Sequence, residues 1–536
     1  MRKFSSYGPV HTEYEYYAPR TELIQRTYDQ LLSDQPVVTG HYITIWAPRQ
    51  TGKTWVTREV LFRLREEQPS FDVVKLHLQD LSDQKTEAAV YRSIIARISQ
   101  ELDYTLPIPE TQEEFVAAFS QKNLPKPLIL ILDEFDALQP EALRGVVAAL
   151  RNIYTMRNQE LDKTTSEKTY RLHSVALIGV RSVLGVENAS GSPFNIQRSV
   201  HIPNLTEDEV AGMFLWYEEE SSQKFAPGVI ERVYYEMRGQ PGLTCWLGEL
   251  LTETYNRYES EITMDDFEFA YAAAVDELPN NNIVNIVSKA KQEQYKPLVL
   301  ELYETTEKMS FRYGDPATNF LYMNGVVDRE IVQVGNKYRR YLKFPNPFIQ
   351  KRLFNYFAHE LYRNPGQLYA PLLDLSTIIT PASLNIPALL HLYEEYLQKN
   401  RSWLFKSAPR RAADERIYEA VYHFNLYMYL SKFMYSYDST VLPEFPTGNG
   451  QIDLLIYHGG ATYGLEVKSF ANRAEYDKAL VQAAKYAQHL NTPDIWLVLF
   501  IEMIDDDNRK DLEKPYVDST NGVTVHPVFV TIGSMN

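Results

Sequence analysis

The amino-acid sequence predicts an α/β protein of several domains. The chain has 536 residues, and at about 150 residues per domain this length corresponds to three or four domains. From Tyr42 onward, short apolar runs alternate with segments that carry apolar residues at helical spacing. This alternation is typical of a doubly wound parallel sheet with helices on both faces.

Four apolar runs are the predicted strands of this sheet. Each is short and mainly apolar, and the segments between them carry apolar residues at helical spacing, as expected for strands buried on both faces. They are Ile43–Ala47, Phe71–Leu78, Leu128–Leu132 and Val175–Val180.

The charge balance is acidic, with 54 Lys and Arg against 70 Asp and Glu and a net charge of −16. This argues against a protein that coats nucleic acid non-specifically, because phosphate contacts need clustered cations. An acidic net charge is compatible with local basic patches. No signal-peptide pattern and no apolar run near ~18 residues is found, so we expect a cytoplasmic protein without membrane segments.

A phosphate-binding loop follows the first predicted strand. The segment Ala47-Pro-Arg-Gln-Thr-Gly-Lys-Thr54 opens a helical pattern, which is the context that a Walker A loop requires. Its backbone amides would surround the phosphates of a nucleotide, Lys53 would add a point charge and the Thr54 hydroxyl would bind Mg²⁺. Ala47 stands where the first glycine of this motif is usual. The other candidate nucleotide-binding residues of the loop are Arg49, Gln50, Thr51 and Gly52.

A Walker B motif follows in the expected order. The apolar run Ile129–Leu132 leads directly into Asp133 and Glu134. Asp133 would hold Mg²⁺ through water, and Glu134 would orient and deprotonate the attacking water. Together the two motifs predict binding and hydrolysis of ATP.

The first ~360 residues resemble the AAA-like branch of P-loop ATPases, which includes the STAND and origin-recognition groups. Tyr17-Ala-Pro-Arg20 is similar to their entry motif, and Gly239-Gln-Pro241 is similar to their GxP motif. The resemblance therefore implies that Arg20 and Pro241 lie near the nucleotide base. Ser192-Pro-Phe-Asn195 with Pro203-Asn-Leu-Thr206 resembles the join between core and lid.

The same resemblance implies two candidate arginines. Arg181 lies near the sensor position, and Arg198 would be an arginine finger. A finger would imply neighbouring subunits and thus a homo-oligomer. The alternative for Arg181 is an ordinary surface arginine.

A lid and a winged helix are expected after the core. Thr206 and Glu209 form a predicted capping box, and helical patterns continue to about Ala290. Two further helices and a hairpin, VVDREIVQV with YRRYLKF, suit a winged helix. Six cations without an acid fall near its end, a candidate phosphate-contact surface. The alternative is a solvated hairpin or one that docks on the acidic ATPase core. They are Lys337, Arg339, Arg340, Lys343, Lys351 and Arg352.

Carboxylates and a lysine are concentrated in the last part of the chain. Asp453 enters an apolar strand after a glycine-rich turn, and Glu466 and Lys468 lie two apart in Gly464-Leu-Glu-Val-Lys468. Strand alternation places Glu466 and Lys468 on one face. Asp453 and Glu466 can hold a divalent metal, and Lys468 can position the attacking water.

This pattern resembles the PD-(D/E)xK nuclease superfamily, whose fold is restriction-endonuclease-like. Glu419 resembles the first-helix glutamate that adds a metal ligand, with Glu415 as a competing assignment one turn earlier. Gln482 resembles the glutamine of the helix that follows the Glu-x-Lys strand. The alternative is that these residues are surface charges, or remnants of an inactive nuclease fold used for binding.

The predicted organisation has five parts: an AAA-like core (1–205), a helical lid (206–290), a winged-helix-like domain (291–360), a linker (361–412) and a nuclease-like domain (413–536). The predicted function is an ATPase module that gates a Mg²⁺-dependent endonuclease, with Mn²⁺ as an alternative metal. DNA is favoured over RNA as substrate, and analogy with bacterial fusions suggests defence against foreign DNA. The alternative is a signalling or scaffold ATPase with a non-catalytic binding domain.

Overall fold

The computed structural model describes residues 2–33, 35–38, 40–179, 198–303, 308–412, 415–437, 439–444, 452–470, 472–490 and 492–533. The chain forms two compact units. The first comprises Met1–Ala272 with Tyr322–Gly325, and the second comprises Ala273–Leu321 with Val326–Asn536. Within the described residues, none of the helices combines the length and apolarity needed to cross a membrane.

The first unit contains most of the first nine helices and the first seven strands. The helices are α1 (Thr21–Leu32), α2 (Lys53–Glu67), α3 (Glu87–Leu102), α4 (Gln112–Ala118), α5 (Pro140–Gln159), α6 (Glu207–Ser221), α7 (Val229–Met237), α8 (Pro241–Glu249) and α9 (Met264–Asp276). The strands are β1 (Tyr42–Trp46), β2 (Asp72–His77), β3 (Leu128–Asp133), β4 (Leu172–Gly179), β5 (Arg198–His201), β6 (Lys224–Phe225) and β7 (Glu261–Ile262).

A parallel sheet with the order β2-β3-β4-β1-β5 forms the centre of this unit. One apolar cluster joins it to α3, α4 and α5, and another joins it to α1 and α2. The predicted α/β class and parallel sheet are therefore confirmed. Sequence analysis missed β5. It also predicted only helical patterns between Thr206 and about Ala290, which was wrong because β6 and β7 form a short parallel pair there.

The helix that follows the core begins as the sequence predicts. Thr206 accepts a hydrogen bond from the Glu209 backbone N–H, and the Glu209 carboxylate accepts one from the Thr206 backbone N–H. This capping box satisfies two donors that a helix start leaves unpaired. It fixes the first residue of α6 at Glu207.

The second unit contains the remaining elements. Its helices are α10 (Asn281–Ala290), α11 (Lys296–Glu301), α12 (Pro316–Met323), α13 (Pro347–Tyr362), α14 (Ile386–Leu404), α15 (Glu419–Met434), α16 (Arg473–His489) and α17 (Asp506–Leu512). Its strands are β8 (Asp328–Val334), β9 (Lys337–Lys343), β10 (Ile379–Thr380), β11 (Ser383–Leu384), β12 (Thr440–Glu444), β13 (Ile452–His458), β14 (Ala461–Ser469), β15 (Asp494–Ile501), β16 (Tyr516–Val517) and β17 (Thr524–Thr531).

A mixed sheet of six strands, ordered β12-β13-β14-β15-β17-β16, organises this unit. β12, β13 and β14 are antiparallel, whereas β14, β15 and β17 run parallel. α16 covers one part of the sheet with an apolar core. α15 is buried along most of its length and packs against α13, as a helix that is apolar all round should.

The interval expected to be a linker contains a packed helix. α14 lies within residues 361–412 and contacts β17. Its buried Glu394 accepts hydrogen bonds from Arg509 and from the Thr531 backbone. This segment is thus part of the second unit, and sequence analysis missed its helix because its proline-rich start and basic end concealed the apolar face between them.

Candidate functional site

The loop between β1 and α2 has the backbone geometry of a phosphate-binding loop. Gln50 and Gly52 both have positive φ, at 56° and 89°, a region that non-glycine residues rarely adopt. Thr51 Oγ1 donates to the Pro48 carbonyl over 2.9 Å. The loop therefore turns sharply before α2 begins at Lys53, and its amides lie at the start of that helix, where an anion is stabilised.

Lys53 is the buried cation of this loop. Its side chain donates to the carbonyls of Ala47 over 2.9 Å and Pro48 over 2.7 Å. Burial lowers the pKa of Lys53 to about 8, against the opposing influence of Glu134, Asp136 and Asp133. A cation that is poorly solvated and held only by neutral carbonyls can bind a phosphate group at low desolvation cost.

The end of β3 supplies two carboxylates to the same region. Asp133 is buried, and its Oδ1 accepts from the Glu134 backbone N–H over 3.0 Å. Glu134 has a φ of 54°. Burial, followed by the charge of Asp136, raises the pKa of Glu134. Glu134 is thus more basic than an exposed glutamate, a property that suits a group accepting a proton from water.

Lys75 on β2 pairs with Asp133, a contact that sequence analysis missed. The Lys75 Nζ lies 3.0 Å from Asp133 Oδ2 and donates to Thr57 Oγ1 over 2.8 Å. Both charges are buried, so the pair fixes the position of the Asp133 carboxylate. The available signal was a lysine between the buried residues Val74 and Leu76 of the strand DVVKLH.

The GxP segment packs directly on the phosphate-binding loop. The Gln240 side chain donates to the Arg49 carbonyl over 3.1 Å and caps α8 by accepting from Leu243. The Gly242 N–H donates to the Gln50 carbonyl over 3.0 Å, and a Cβ on Gly242 would overlap the Gln50 side chain. Pro241 is the first residue of α8. The structure therefore brings this motif to the loop.

Arg20 is buried and held by other protein groups. Its guanidinium donates to the Asn204 carbonyl over 3.1 Å, and its Nε lies 3.5 Å from Glu209. Burial lowers the pKa of Arg20. In this arrangement Arg20 links the N-terminal segment to the start of α6. Of the other candidates, Thr54 is half-buried and Arg49 is exposed.

Three predicted features fall outside the described part of the chain. These are Arg181, the segment Ser192-Pro-Phe-Asn195 and the glycine-rich turn before Gln451. Arg198 begins β5 and pairs in register with Ile43, and Asp453 lies on β13. The side chains of both residues lie outside the described part as well.

A second cluster of charged groups lies on β14 of the second unit. The Glu466 side chain is 2% exposed, and its Oε1 lies 2.7 Å from the Lys468 Nζ. Lys468 also donates to Gln482 Oε1 on α16 over 2.8 Å. Burial raises the pKa of Glu466, whereas the charge of Lys468 opposes this shift. Glu466, Lys468 and Gln482 are thus in one contact network, within which the sequence predicted that Glu466 and Lys468 share one face of the strand.

Glu419 and Asp453 meet the same strand from different elements. Glu419 Oε1 accepts from the Ser469 backbone N–H over 3.1 Å, at the end of β14. β13 pairs with β14 so that Asp453 lies opposite Glu466 in the register. Glu415, the competing assignment, is exposed and precedes the helix instead of lying one turn back on it. The structure favours Glu419.

His423 is a further buried group beside Glu419. Its Nε2 lies 3.6 Å from Glu419 Oε1, and the side chain is fully buried. Burial lowers the pKa of His423, so the ring is neutral near pH 7. Its spacing of four residues from Glu419 on a helix was the signal that sequence analysis passed over.

The fit of a divalent metal to these carboxylates follows from their oxygen atoms. Glu466 Oε2 is buried and has no hydrogen-bond partner among the described atoms, and hard oxygen atoms are the ligands that Mg²⁺ prefers. The described side chains include no group of three His, Cys, Asp or Glu already arranged to hold a metal. The residue types fit a metal, with Asp453, opposite Glu466 in the register, as the second carboxylate.

The basic surface is smaller than the sequence predicts. Lys337, Arg339 and Arg340 are exposed on the hairpin of β8 and β9. By contrast, Lys351 is buried against Glu444 at 3.0 Å, and Arg352 donates to the carbonyls of Ala274 and Val275. Assigning these last two residues to a phosphate-contact surface was wrong, because both are used in packing.

Cations from a neighbouring segment extend the hairpin surface. The Phe311 N–H donates to the Arg340 carbonyl over 2.9 Å, so residues near 310 lie alongside β9. The resulting groove is lined by Lys308, Ser310, Phe311, Arg312, Arg339, Arg340 and Tyr341. Cations interleaved with aromatic rings are typical of surfaces that contact nucleic acid.

The parallel sheet, the loop around Lys53 and the carboxylates at the end of β3 define a P-loop ATPase fold in the first unit. In agreement with this, residues 5–254 match the family described as AAA-like domain. This part of the chain is therefore similar to AAA-like domains.

Solved structures give distant similarities. The ORC1 protein of Aeropyrum pernix in complex with DNA is 20% identical, covers 63% of this chain and 92% of its own, and has a TM-score of 0.34. A Walker-type ATPase of Pyrococcus abyssi is 13% identical with coverages of 66% and 98% and a TM-score of 0.42. At these values the similarities carry no inference about activity. No curated protein sequence matches the chain.

Proposed function

We propose that this protein is an ATP-controlled nuclease: its AAA-like domain binds and hydrolyses ATP and thereby gates a Mg²⁺-dependent phosphodiesterase in the second unit. The observation that carries the nuclease assignment is the network of Glu466, Lys468 and Gln482, with Glu419 bonded to the end of the same strand. These are the residue types that metal-dependent phosphodiester cleavage requires.

The nucleotide site is argued from the phosphate-binding loop. Phosphate oxygens would replace the Ala47 and Pro48 carbonyls as acceptors for Lys53, whose two hydrogen bonds to the loop hold it beside the start of α2. Thr54 and Asp133 would hold Mg²⁺, which neutralises phosphate charge when bound. Glu134, with its raised pKa, would take a proton from the attacking water.

The phosphodiesterase site is argued from β14. Asp453 and Glu466 would hold Mg²⁺, or Mn²⁺ in its place, which when bound stabilises negative charge on the phosphate. Lys468, kept in place by Gln482, would orient the attacking water. Glu419 fixes the end of the strand by accepting from Ser469, and Gln482 and Glu419 thereby keep the reacting groups on rigid elements.

The substrate we propose is nucleic acid, with DNA favoured over RNA. The support is the exposed groove of Arg312, Arg339 and Arg340 on an otherwise acidic protein. Lys308 also lines this groove and is paired with Glu330. Clustered cations bind the phosphate backbone of either polymer. A role in defence against foreign DNA would require this cleavage to be controlled, which is the part we assign to ATP.

The proposal is tested by incubating linear and nicked DNA and RNA with the purified protein in Mg²⁺ or Mn²⁺. We expect cleavage that EDTA abolishes and that Glu466→Gln and Lys468→Met both lose. The matched control is Glu475→Gln, a change at an exposed position on α16. Cleavage that persists in both variants would overturn the assignment of the site.

A second candidate function is a nucleic-acid-binding or partner-binding domain without catalysis, under the control of the same ATPase. The observation that favours it is that Lys468 is already neutralised by Glu466. Calorimetric titration with Mn²⁺ separates the two functions. A nuclease site binds the metal and loses it in Asp453→Ala, whereas a binding domain takes up none.

A further inference from the structure

We propose that the cavity beyond the end of β14 binds one unpaired nucleobase of the substrate, so that the nuclease acts on single-stranded or locally unpaired nucleic acid. This inference rests on the proposed nuclease function and adds the class of substrate to it. The cavity has a volume of about 490 Å³, within the range of about 300–1,000 Å³ that small-ligand sites occupy.

The cavity lies next in line after the proposed catalytic lysine. Residues 466, 468 and 470 lie on the same face of an extended chain, since alternate residues share a face. The Phe470 N–H donates to the Phe500 carbonyl over 2.8 Å and so continues the hydrogen bonding of β14 with β15. Both Lys468 and Phe470 contact α16, through Gln482 and Tyr476 respectively. Two residues of strand span ~6.6 Å, so a base in the cavity can belong to a nucleotide beside the scissile phosphate.

The chemistry of the lining suits a flat, mostly apolar ring. The floor is formed by Phe470, Ile501, Ile504 and Leu512. The Phe470 ring is held by Phe529 at 5.6 Å between centroids, which makes it a rigid platform. Bases of any sequence stack on such surfaces because each has an apolar face.

The rim supplies one cation and one flexible apolar side chain. Met503 is 79% exposed, although an apolar side chain of this size gains by being covered. Arg473, at the start of α16, is 63% exposed; its Nε lies 3.2 Å from Asp477 Oδ1. Its guanidinium lies over the Tyr476 ring at 5.2 Å, and its exposed part can stack on a base or meet the adjoining phosphate. The two carboxylates at the cavity already have partners, since Asp505 caps α17 and Asp511 pairs with Lys514.

The test compares oligonucleotides that differ by one missing base. We measure cleavage of single-stranded DNA by the wild type and by the double variant Arg473→Ala, Met503→Ala. The oligonucleotides carry an abasic site at each position in turn around the cleavage point. We expect the wild type to show about a ten-fold lower kcat/KM when one particular base is missing. The double variant should cut the intact strand as slowly as that abasic strand and show no further loss on it. Lys510→Ala, an exposed change on α17 outside the cavity, should behave as the wild type.

Binding separates failure of this inference from failure of the nuclease assignment. The same oligonucleotides, fluorescein-labelled, are titrated by anisotropy with Ca²⁺ in place of Mg²⁺. One outcome is that no oligonucleotide is cut, while the missing base lowers affinity in the wild type and not in the double variant. That result would support base binding in the cavity and contradict the nuclease assignment. If the wild type cleaves and binds intact and abasic strands equally, the proposal that the cavity binds a base is wrong. Preference for a fully paired duplex would also contradict it, since a paired base must leave its stack to enter the cavity.

Discussion

At the scale of single residues, two lysines define the two proposed sites. Among the described residues, Lys53 donates its hydrogen bonds to neutral carbonyls, whereas Lys468 has an anionic partner in Glu466. At the first site an incoming phosphate therefore meets a lysine that forms no direct ion pair with a described carboxylate. At the second site Glu466 already balances the charge of Lys468. The proposed role of Lys468 is therefore to orient the attacking water and not to bind a phosphate group.

The first prediction concerns nucleotide affinity. Lys53→Ala removes charge-assisted hydrogen bonds worth about 1.5–3 kcal/mol, so ATP should bind roughly 10- to 150-fold more weakly. Isothermal titration calorimetry measures this, with the exposed Lys85→Ala as the matched control. Equal affinity in Lys53→Ala and wild type would contradict the assignment of the loop.

The second prediction concerns the β14 network. Lys468→Met should lower the cleavage rate by two orders of magnitude or more, which corresponds to about 2.7 kcal/mol of activation free energy. Removing the ammonium also leaves Glu466 buried without a charged partner, so we expect a lower melting temperature. Glu466→Gln with Lys468→Met should recover melting temperature but not cleavage. Recovery of cleavage in that double variant would contradict the assigned roles.

The sequence predicts contacts between residues that are close in the chain, and it does not reveal contacts between distant residues. The loop around Lys53 and the Glu-x-Lys strand are short motifs whose spacing fixes their geometry. The pairing of Lys75 with Asp133 depends on the order of two strands in the sheet. Lys351 looked like part of a basic surface because nothing near it in sequence reveals Glu444, its partner 93 residues away.

At the scale of elements, the hairpin of β8 and β9 is the proposed contact with nucleic acid. The third prediction is that Arg339→Ala with Arg340→Ala weakens binding to DNA of any sequence and reduces its salt dependence. The slope of log K against log salt should fall by roughly 0.9 for each phosphate group that the variant no longer neutralises. Fluorescence anisotropy at several salt concentrations measures it.

Two exposed cations of the first unit provide the control for the hairpin. Lys85→Ala with Lys122→Ala removes the same charge from positions outside the groove. An equal loss of affinity in this control would show that net charge, and not the hairpin, determines binding.

β4 carries the fourth prediction, on pH. His173 is 1% exposed, and burial lowers its pKa to about 3. Below pH 6.5 His173 takes up a proton in the unfolded chain, whereas in the folded chain it stays neutral until about pH 3. This histidine therefore makes the folded state less stable as pH falls through that window, by at most about 1.4 kcal/mol per pH unit.

Chemical denaturation at a series of pH values checks this effect. His173→Gln should flatten the fall in unfolding free energy between pH 6.5 and pH 4, while the exposed His11→Gln leaves it unchanged. Parallel curves for His173→Gln and the wild type would contradict the argument.

The elements that sequence analysis found and missed differ in the strength of their own pattern. Apolar runs such as Leu128–Leu132 predict buried strands by themselves. β5 is short and polar at its start, and it is a strand because it pairs with β1. α14 begins in a proline-rich stretch, and its place against β17 is set by residues more than a hundred positions away.

At the scale of the whole molecule, a net charge of −16 works against contact with nucleic acid. The exposed hairpin is one place where that balance is locally reversed. Binding should therefore vary strongly with salt concentration and depend on few residues. At physiological ionic strength, repulsion from the remaining surface is screened beyond about 8 Å, so the cations near the bound phosphates determine the affinity. Under the proposed function, ATP would be the second ligand that favours the state competent for cleavage.

The most direct test of the central claim is cleavage of linear DNA in Mg²⁺ across a range of ATP concentrations, by the wild type, Lys53→Ala and Asp453→Ala. We predict that the wild type cuts in an ATP-dependent manner, that Lys53→Ala does not respond to ATP and that Asp453→Ala hydrolyses ATP without cutting. Cleavage by Lys53→Ala equal to that of the wild type at every ATP concentration would contradict the account.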